Sequence, residues 1–465
     1  LIVFQITLFY AIYLIKGSMN KIFGTDGVRG QANVPPITAE FALRLGISAG
    51  QYFRSSLGTK RVVIGKDTRR SGYMLENAIT AGFTSVGMNV FLLGPVPTPA
   101  VGLLTKSMRA DLGVMISASH NPFCDNGIKF FGPDGYKLSD SDEIKIEGLF
   151  STELALSPSE LIGRASRISD GLGRYIEVVK TTLPSEFRLD GLKIVIDCAN
   201  GASYKAAPEV LWELGAEVIK LGNSPNGYNI NLNCGSMHPE KAIEQVLESN
   251  ADLGICLDGD ADRVLLIDEK GNVVNGDQFL ALIATFWKKQ NRLRGDGVVS
   301  TIMSNLALEH YLGNMGLLLR RTPVGDRYVV EEMRRSKFNL GGEQSGHIIM
   351  TDYMTTGDGL AAALQFLLVL VDSGKTASEI SKNFDPYPQL IGNVQAHNNI
   401  NILEKDSVRR AILFTENMLG KEGRLVVRKS GTEAVIRVMA EHPDATLVKE
   451  AVKQITDEIN IHATP

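Results

Sequence analysis

Ala110-Asp111-Leu112-Gly113-Val114-Met115-Ile116 and Ala251-Asp252-Leu253-Gly254-Ile255-Cys256-Leu257 open on the same four residues and continue as short apolar runs. Runs of this length, bounded by polar segments, read as buried strands. The first leads into Ser117-Ala118-Ser119-His120-Asn121-Pro122 and the second into Asp258-Gly259-Asp260-Ala261-Asp262-Arg263. Ahead of the first lie a strand over Arg61 to Asp67, a helix capped by Ser71 and running through Phe83, and a strand over Val90 to Leu93 that ends at Pro95. The same order precedes the second: a strand over Lys193 to Asp197, a helix around Leu211 and Leu214, and a strand over Glu217 to Leu221. A third copy has strands at Gly297 to Ser300 and Leu317 to Arg320 with a helix near Leu306 between them. Its last strand, Phe338 to Gly341, delivers Gly342-Glu343-Gln344-Ser345-Gly346-His347. The pattern predicts three related mixed α/β domains, each long enough to hold its own core, rather than a solenoid. Side chains at the carboxyl ends of such strands face the crevice where ligands bind, so three polar loops are expected to converge on one cleft.

The remaining sequence frames this repeat. A length of 465 residues exceeds one core and predicts roughly three or four domains. Upstream, Thr38 reads as the cap of an amphipathic helix that turns Phe41, Leu45 and Ala49 inward. Phe384-Asp385-Pro386-Tyr387-Pro388 breaks the repeat and reads as a linker. Beyond it, a helix near Val408 to Met418, strands at Arg424 to Val427 and Val435 to Met439, and a helix from about Ala445 predict a small α+β domain. The expected divisions are 19–172, 173–272, 273–385 and 386–465. Residues 1 to 18 are apolar but short for a membrane span, lack the layout of a secretory signal, and precede Met19; they are expected to lie upstream of the true start. A net charge of −4 without a basic stripe excludes a nucleic-acid binder. Cys124, Cys198, Cys234 and Cys256 match no zinc or disulfide spacing, which fits a reducing compartment and a cytoplasmic location.

Each loop carries its own chemistry. Ser119, beside His120 at a strand end, offers a hydroxyl to the crevice, although the same residues also make an ordinary solvated turn. Asp258, Asp260 and Asp262 alternate, which in an extended segment places three carboxylates on one face. Like charges so placed require a cation, and an all-oxygen set suits a hard ion such as magnesium. A calcium EF-hand is excluded by Arg263 at the position that loop reserves for Gly and by flanks that read as strands. Arg428, Ser430, Gly431, Thr432 and, past the turn, Arg437 offer guanidinium forks, hydroxyls and close backbone N–H groups, a set that matches a phosphate; the alternative is a plain hairpin turn. Glu343, Ser345 and His347 suit sugar hydroxyls or an amine. Lys129 can supply charge or move a proton, while Asp358 reads as a helix cap.

Taken together, Phe23 to Gly30, Ile116 to Phe123, Asp125 to Phe131, Asp258 to Arg263, Gly342 to His347 and Arg428 to Glu433 resemble the α-D-phosphohexomutase superfamily from about Met19 to the end of the chain. The resemblance implies four domains around a central active-site cleft, a phosphorylated Ser119, and one magnesium ion held by Asp258, Asp260, Asp262 and the Ser119 phosphate. It further implies that Glu343 and Ser345 contact the sugar and that Arg428, Ser430, Gly431, Thr432 and Arg437 grip the phosphate that is not reacting. Arg29, His120, Lys129, Arg263 and His347 match family positions that assist binding or transfer. Gln344, where phosphomannomutase and phosphoglucomutase relatives commonly carry Met, favours the branch acting on glucosamine phosphates over glucose or mannose phosphates. The implied reaction interconverts glucosamine 6-phosphate and glucosamine 1-phosphate through glucosamine 1,6-bisphosphate, toward UDP-N-acetylglucosamine and cell-wall precursors. A binding protein without turnover is disfavoured by the intact Ser119, aspartates and phosphate loop. The partner is thus a small sugar phosphate, with no nucleic acid or membrane, and a homodimer is the assembly considered. Lys429 and Ala434 replace common prolines, and Cys124 replaces a common aromatic.

Overall fold

The computed structural model describes residues 22–24, 26–54, 60–152, 155–395, 402–429 and 435–463. The expectation for residues 1 to 18, and Ser430, Gly431 and Thr432 of the phosphate loop, lie outside them.

The described residues build four sheets. The first combines β1 (Val28–Gln31), β2 (Arg61–Lys66), β3 (Asn89–Pro95), β4 (Leu112–Ile116), β5 (Asp125–Phe131) and β6 (Ala165–Arg167) in the order β1-β5-β4-β2-β3-β6. The second combines β7 (Lys193–Asp197), β8 (Glu217–Leu221), β9 (Leu253–Leu257), β10 (Val264–Asp268) and β11 (Val273–Val274) in the order β11-β10-β9-β7-β8. The third is β13-β12-β14-β15, from β12 (Gly297–Thr301), β13 (Leu318–Thr322), β14 (Leu340–Gly342) and β15 (Ile348–Met350). One kernel recurs three times: a central strand lies between two parallel neighbours, and the second neighbour turns back into an antiparallel partner. Each polar loop is that return, so all three sit at the same point of the same topology.

The shared Ala-Asp-Leu-Gly has a physical origin. The N–H of Asp111 donates to the Arg61 carbonyl at 2.9 Å, while Arg61 N–H donates to the Asp111 carboxylate at 2.8 Å. Asp252 makes the same two bonds with Lys193, each at 2.8 Å. The aspartate thereby latches the third strand to the first residue of the central one and fixes their register. The glycine after it admits a helix: a Cβ on Gly113 would stand 2.2 Å from Thr105 Oγ1, and one on Gly254 would stand 2.8 Å from Val246 Cγ2.

Thr38 caps the helix Ala39–Arg54, its Oγ1 accepting from Phe41 N–H at 3.2 Å, and Leu45 and Ala49 are buried. Ser71 is not a cap. Arg70 takes that position, and Ser71, the first helical residue, instead accepts from Asn126 Nδ2 at 2.8 Å. The repeats keep apolar clusters of their own, around Val62 and Phe83 in the first, Val195 and Val246 in the second and Val299 and Met333 in the third, and they also share one. One apolar cluster runs from Val63 and Leu104 through Ile194 and Leu257 to Trp287 and Leu364, because the nearly all-buried helix Gly359–Ser373 packs against the helices Gly276–Lys289 and Gly171–Lys180 and against β10. Burial on all sides explains why that helix is apolar around its whole circumference.

The C-terminal unit differs. It holds a three-stranded antiparallel sheet, β16 (Gln389–Gln395), β18 (Val435–Glu441) and β17 (Arg424–Lys429) in that order, under the helices Asp406–Leu419 and Ala445–Ala463. Strand β16 was not anticipated from the sequence. This unit has its own apolar clusters, around Val438 and Ile455 and around Ala440 and Val452. Its attachment to the third repeat is polar. Glu441, fully buried, binds Arg424 at 2.5 Å and accepts from Leu306 N–H at 3.2 Å, while Arg424 Nη2 donates to the Ser304 carbonyl at 2.8 Å.

Candidate active site

Strand β4 ends by delivering Ser119 into a return that the backbone would not choose by itself. Ser119 has φ +52°, in the left-handed region, and is 1% exposed. Its N–H donates to Ser117 Oγ at 2.9 Å and its carbonyl accepts from Arg69 and from Asn231. Its hydroxyl donates to Asp258 Oδ2 at 2.6 Å, across 139 residues of chain, and lies 3.2 Å from His120 Nδ1. Burial, then Arg263 and Arg29, lowers the His120 pKa to about 4, so its imidazole is neutral at neutral pH. Where Ser119 meets the second repeat, Gly259 is required: a Cβ there would stand 2.5 Å from the Ser119 carbonyl oxygen.

Asp258, Asp260 and Asp262 are all buried, and each places a carboxylate oxygen within 4.8 Å of the other two. The segment is not extended, as its alternation implied. It is a turn in which Ala261 has φ +58° and donates its N–H to the Asp258 carbonyl at 3.1 Å, and the turn gathers the carboxylates more tightly than a pleat would. Asp260 Oδ1 is buried with no hydrogen-bond partner among the described residues, and Asp262 Oδ1 has His347 Nδ1 at 3.6 Å. Burial, then Asp262 and Asp260, pushes the Asp258 carboxyl well above the usual range. Three buried carboxylates with orphaned oxygens and mutual repulsion fit a divalent cation with oxygen preference.

Cations of the first repeat close the other side. Lys129, 1% exposed, donates to Asp260 at 2.9 Å and Asp262 at 3.4 Å and lies 3.2 Å from Asp26. Burial opposes its charge, yet Asp26, Asp260 and Asp262 outweigh burial and raise its pKa. Arg29 pairs with Asp26, and Arg263 stands 3.9 Å from Asp262.

From the third repeat, Glu343 is buried, accepts from Gly325 N–H at 3.3 Å, and is pushed up by burial against the pull of His347 and Arg263. Ser345 is exposed. His347 is buried between Asp262 and Asp326, 3.3 Å from the latter, and accepts from Gly357 N–H at 3.2 Å. Burial disfavours its cation, but the two aspartates raise its pKa overall. Arg428 and Arg437 are directly opposed across the β17–β18 ladder, a like-charged pair that lowers the Arg428 pKa after burial. Opposed guanidiniums repel unless an anion joins them.

The sequence pointed to Ser119, the aspartates, His120, Lys129, Arg29, Arg263 and His347, and the structure gathers them around the carboxylate cluster. It missed Thr98, whose Oγ1 donates to Asp260 Oδ2 at 2.7 Å, and Asp326, which joins His347 to Lys137 at 2.5 Å. Asp26 lay inside a quoted motif without a role. The one usable signal was Gly325-Asp326, a glycine before an acidic first helical residue; Thr98 sits in a proline-rich turn that reads only as a helix start.

A three-repeat α/β core brings a buried serine hydroxyl to a carboxylate cluster, and a separate unit presents two opposed arginines. The chain belongs to the phosphoglucomutase/phosphomannomutase family: models of its α/β/α domains I, II and III match residues 20–156, 173–271 and 275–387, and its C-terminal domain matches 393–458. It is 64% identical to phosphoglucosamine mutase of Paracoccus denitrificans over 94% of this chain and 98% of that protein, and 61% identical to phosphoglucosamine mutase of Roseobacter denitrificans over 95% and 98%. Among solved structures, a phosphoglucomutase/phosphomannomutase family protein of Burkholderia thailandensis shares the fold with a TM-score of 0.81 at 22% identity, covering 96% of this chain and 98% of that one. N-acetylphosphoglucosamine mutase of Aspergillus fumigatus, in complex with GlcNAc-6P and magnesium, matches with a TM-score of 0.67 at 17% identity over 97% of each chain.

Proposed function

We propose that the protein is an intramolecular phosphotransferase that interconverts glucosamine 6-phosphate and glucosamine 1-phosphate, with Ser119 as the phosphoryl carrier and glucosamine 1,6-bisphosphate as the intermediate. The observation that carries this is the Ser119 hydroxyl, buried and 2.6 Å from the first of three clustered aspartates. The identity to two bacterial phosphoglucosamine mutases supports the amino sugar as substrate. The division at 19–172, 173–272, 273–385 and 386–465 belongs to the same proposal and is supported by the four sheets.

Phosphoryl transfer needs positioning and charge neutralisation more than covalent activation. Magnesium held by Asp258, Asp260, Asp262 and the Ser119 phosphate would supply neutralisation at the transferring oxygens. Lys129, fixed in its charged form, keeps Asp262 ionised in the absence of bulk water and donates a hydrogen bond to Asp260. His120, held neutral, stands 3.2 Å from the Ser119 hydroxyl, whose hydrogen goes to Asp258. Thr98 fixes one oxygen of Asp260, and His347, with both ring nitrogens engaged by protein groups, orients Asp262. Glu343 and Ser345 face the sugar, and Arg428 and Arg437, with Ser430, Gly431 and Thr432, hold the distal phosphate. In the forward direction the phosphoryl group leaves Ser119 Oγ for the sugar O1, whose proton ends on the departing Ser119 oxygen and restores its hydroxyl. The bisphosphate then turns, and the phosphoryl group on O6 passes to Ser119 Oγ while the serine proton ends on O6, leaving glucosamine 1-phosphate for UDP-N-acetylglucosamine synthesis in the cytoplasm. Among the described residues no helix is long and apolar enough to cross a membrane.

The test is a coupled assay with magnesium that follows glucosamine 1-phosphate formed from glucosamine 6-phosphate, beside glucose and mannose phosphates, with Ser119→Ala as control. Preference for the amino sugar, lost in the variant, is the expected result. Turnover of glucose or mannose phosphate alone overturns the substrate, and no turnover after priming with a bisphosphate overturns the activity.

A further inference from the structure

The loop that carries Ser119 is gripped by its backbone from two different repeats. Arg69, fully buried, sends Nη2 to the carbonyl oxygens of Ser119 at 3.1 Å and Asn121 at 2.5 Å. From the second repeat, Asn231 sends Nδ2 to the same two oxygens, both at 2.9 Å. Each supporting side chain is itself fixed. Asp67 pairs with the Arg69 guanidinium and accepts the Arg69 N–H at 2.8 Å, while Asn231, 8% exposed and left-handed at φ +57°, donates its own N–H to the Ala199 carbonyl at 2.9 Å. A non-glycine residue in the left-handed region carries intrinsic strain, and the Ser119 conformation persists only because its surroundings over-determine it.

We infer that Asn231 is a positioning residue for the phosphoryl transfer: with Arg69 it clamps the carbonyls of Ser119 and Asn121 and so sets the Ser119 oxygen against the carboxylate cluster. The residue belongs to the same repeat as Asp258, Asp260 and Asp262, so the clamp references the nucleophile directly to the unit that bears the carboxylates. It touches only main-chain oxygens. The grip therefore acts alike on the free hydroxyl and on a phosphorylated Ser119, which a cycle passing through both states requires. Nothing in the contact reaches the sugar, so loss of the clamp acts on transfer and not on substrate binding. The inference rests on Ser119 being the phosphoryl carrier.

Two variants test it. Asn231→Asp keeps shape and tolerates the left-handed backbone but replaces the donor with an acceptor facing two carbonyl oxygens. Asn231→Gly removes the side chain at no conformational strain. Both are expected to lower kcat for glucosamine 6-phosphate by about 10- to 100-fold, the scale of a small misplacement of reacting atoms, with KM within about threefold of wild type. Intact mass after exposure to the bisphosphate is expected to show slower phosphorylation of the protein, and the thermal midpoint of at least one variant to stay near wild type. Wild-type kcat in either variant overturns the inference, as does a raised KM at unchanged kcat. A wild-type protein that neither turns over nor becomes phosphorylated overturns the inference together with the proposed function, so the two failures are distinguishable.

Discussion

The three repeats and the C-terminal unit solve different mechanical problems. The repeats are joined by one apolar cluster that spans all three, and their polar returns are locked by short buried contacts such as Ser119 to Asp258 and Lys129 to Asp260. The C-terminal unit has its own clusters and joins the rest through a few hydrogen bonds around Ser304 to Leu306. A fused core holds charges at fixed distances, which transfer chemistry needs. A separately cored unit with a polar joint can shift as a body, which suits a grip that must accept a sugar in two orientations.

Four experiments bear on that contrast. The largest effect is expected within the fused core, where Ser119→Ala or Asp258→Asn lowers kcat by about a thousandfold or more. Residual turnover within tenfold of wild type would place the chemistry elsewhere. In the C-terminal unit, Arg428→Ala is expected to lower kcat/KM by about 10- to 100-fold, mostly through KM, with partial recovery in Arg428→Lys. A pure kcat effect would remove the division of labour between the regions.

The joint itself comes next. Glu441→Gln weakens a buried ion pair with Arg424 and is expected to destabilise the C-terminal unit by about 2 to 3 kcal/mol. Hydrogen exchange would then quicken in β16 to β18 and stay unchanged in β2, β7 and β12; uniform acceleration would mean that the unit does not unfold separately. The smallest effect concerns Asp277, buried beside the same joint, which accepts from Asn305 N–H at 2.8 Å. Burial raises its pKa to about 6, above the ordinary carboxyl value. Between the ordinary value and about 6 the native state therefore binds more protons than the unfolded one, and stability contributed by this group falls as pH rises through that window. Asp277→Asn is expected to flatten the dependence of the urea midpoint on pH across that window, and an unaltered slope would show that this carboxyl ionises normally.

Much of the fold was legible because its signals are local. Apolar runs marked β4, β9 and β12, and the repeated Ala-Asp-Leu-Gly marked the kinship of two repeats through a register latch whose residues stand at fixed places in each. Asp258 to Asp262 announced a carboxylate cluster able to hold a cation by charge alone, although the turn that gathers them was misread as an extended face. Thr98 and Asn231 carried no such mark, since a threonine after proline and an asparagine in a loop have ordinary local explanations, and Asp326 carried only the glycine before it at a helix start.

By itself, then, the sequence determined the order of strands and helices, the kinship of the three repeats and the kinds of side chain their loops present, because periodicity, turn chemistry and charge spacing act over a few residues. Only the tertiary structure decided that one apolar cluster joins the repeats and that Ser119 meets Asp258, Lys129 meets Asp260 and Asn231 meets the Ser119 carbonyl. Those partners stand more than a hundred residues apart. Which of many buried charges become neighbours depends on how whole sheets pack, and on whether each charge finds a partner once water is gone.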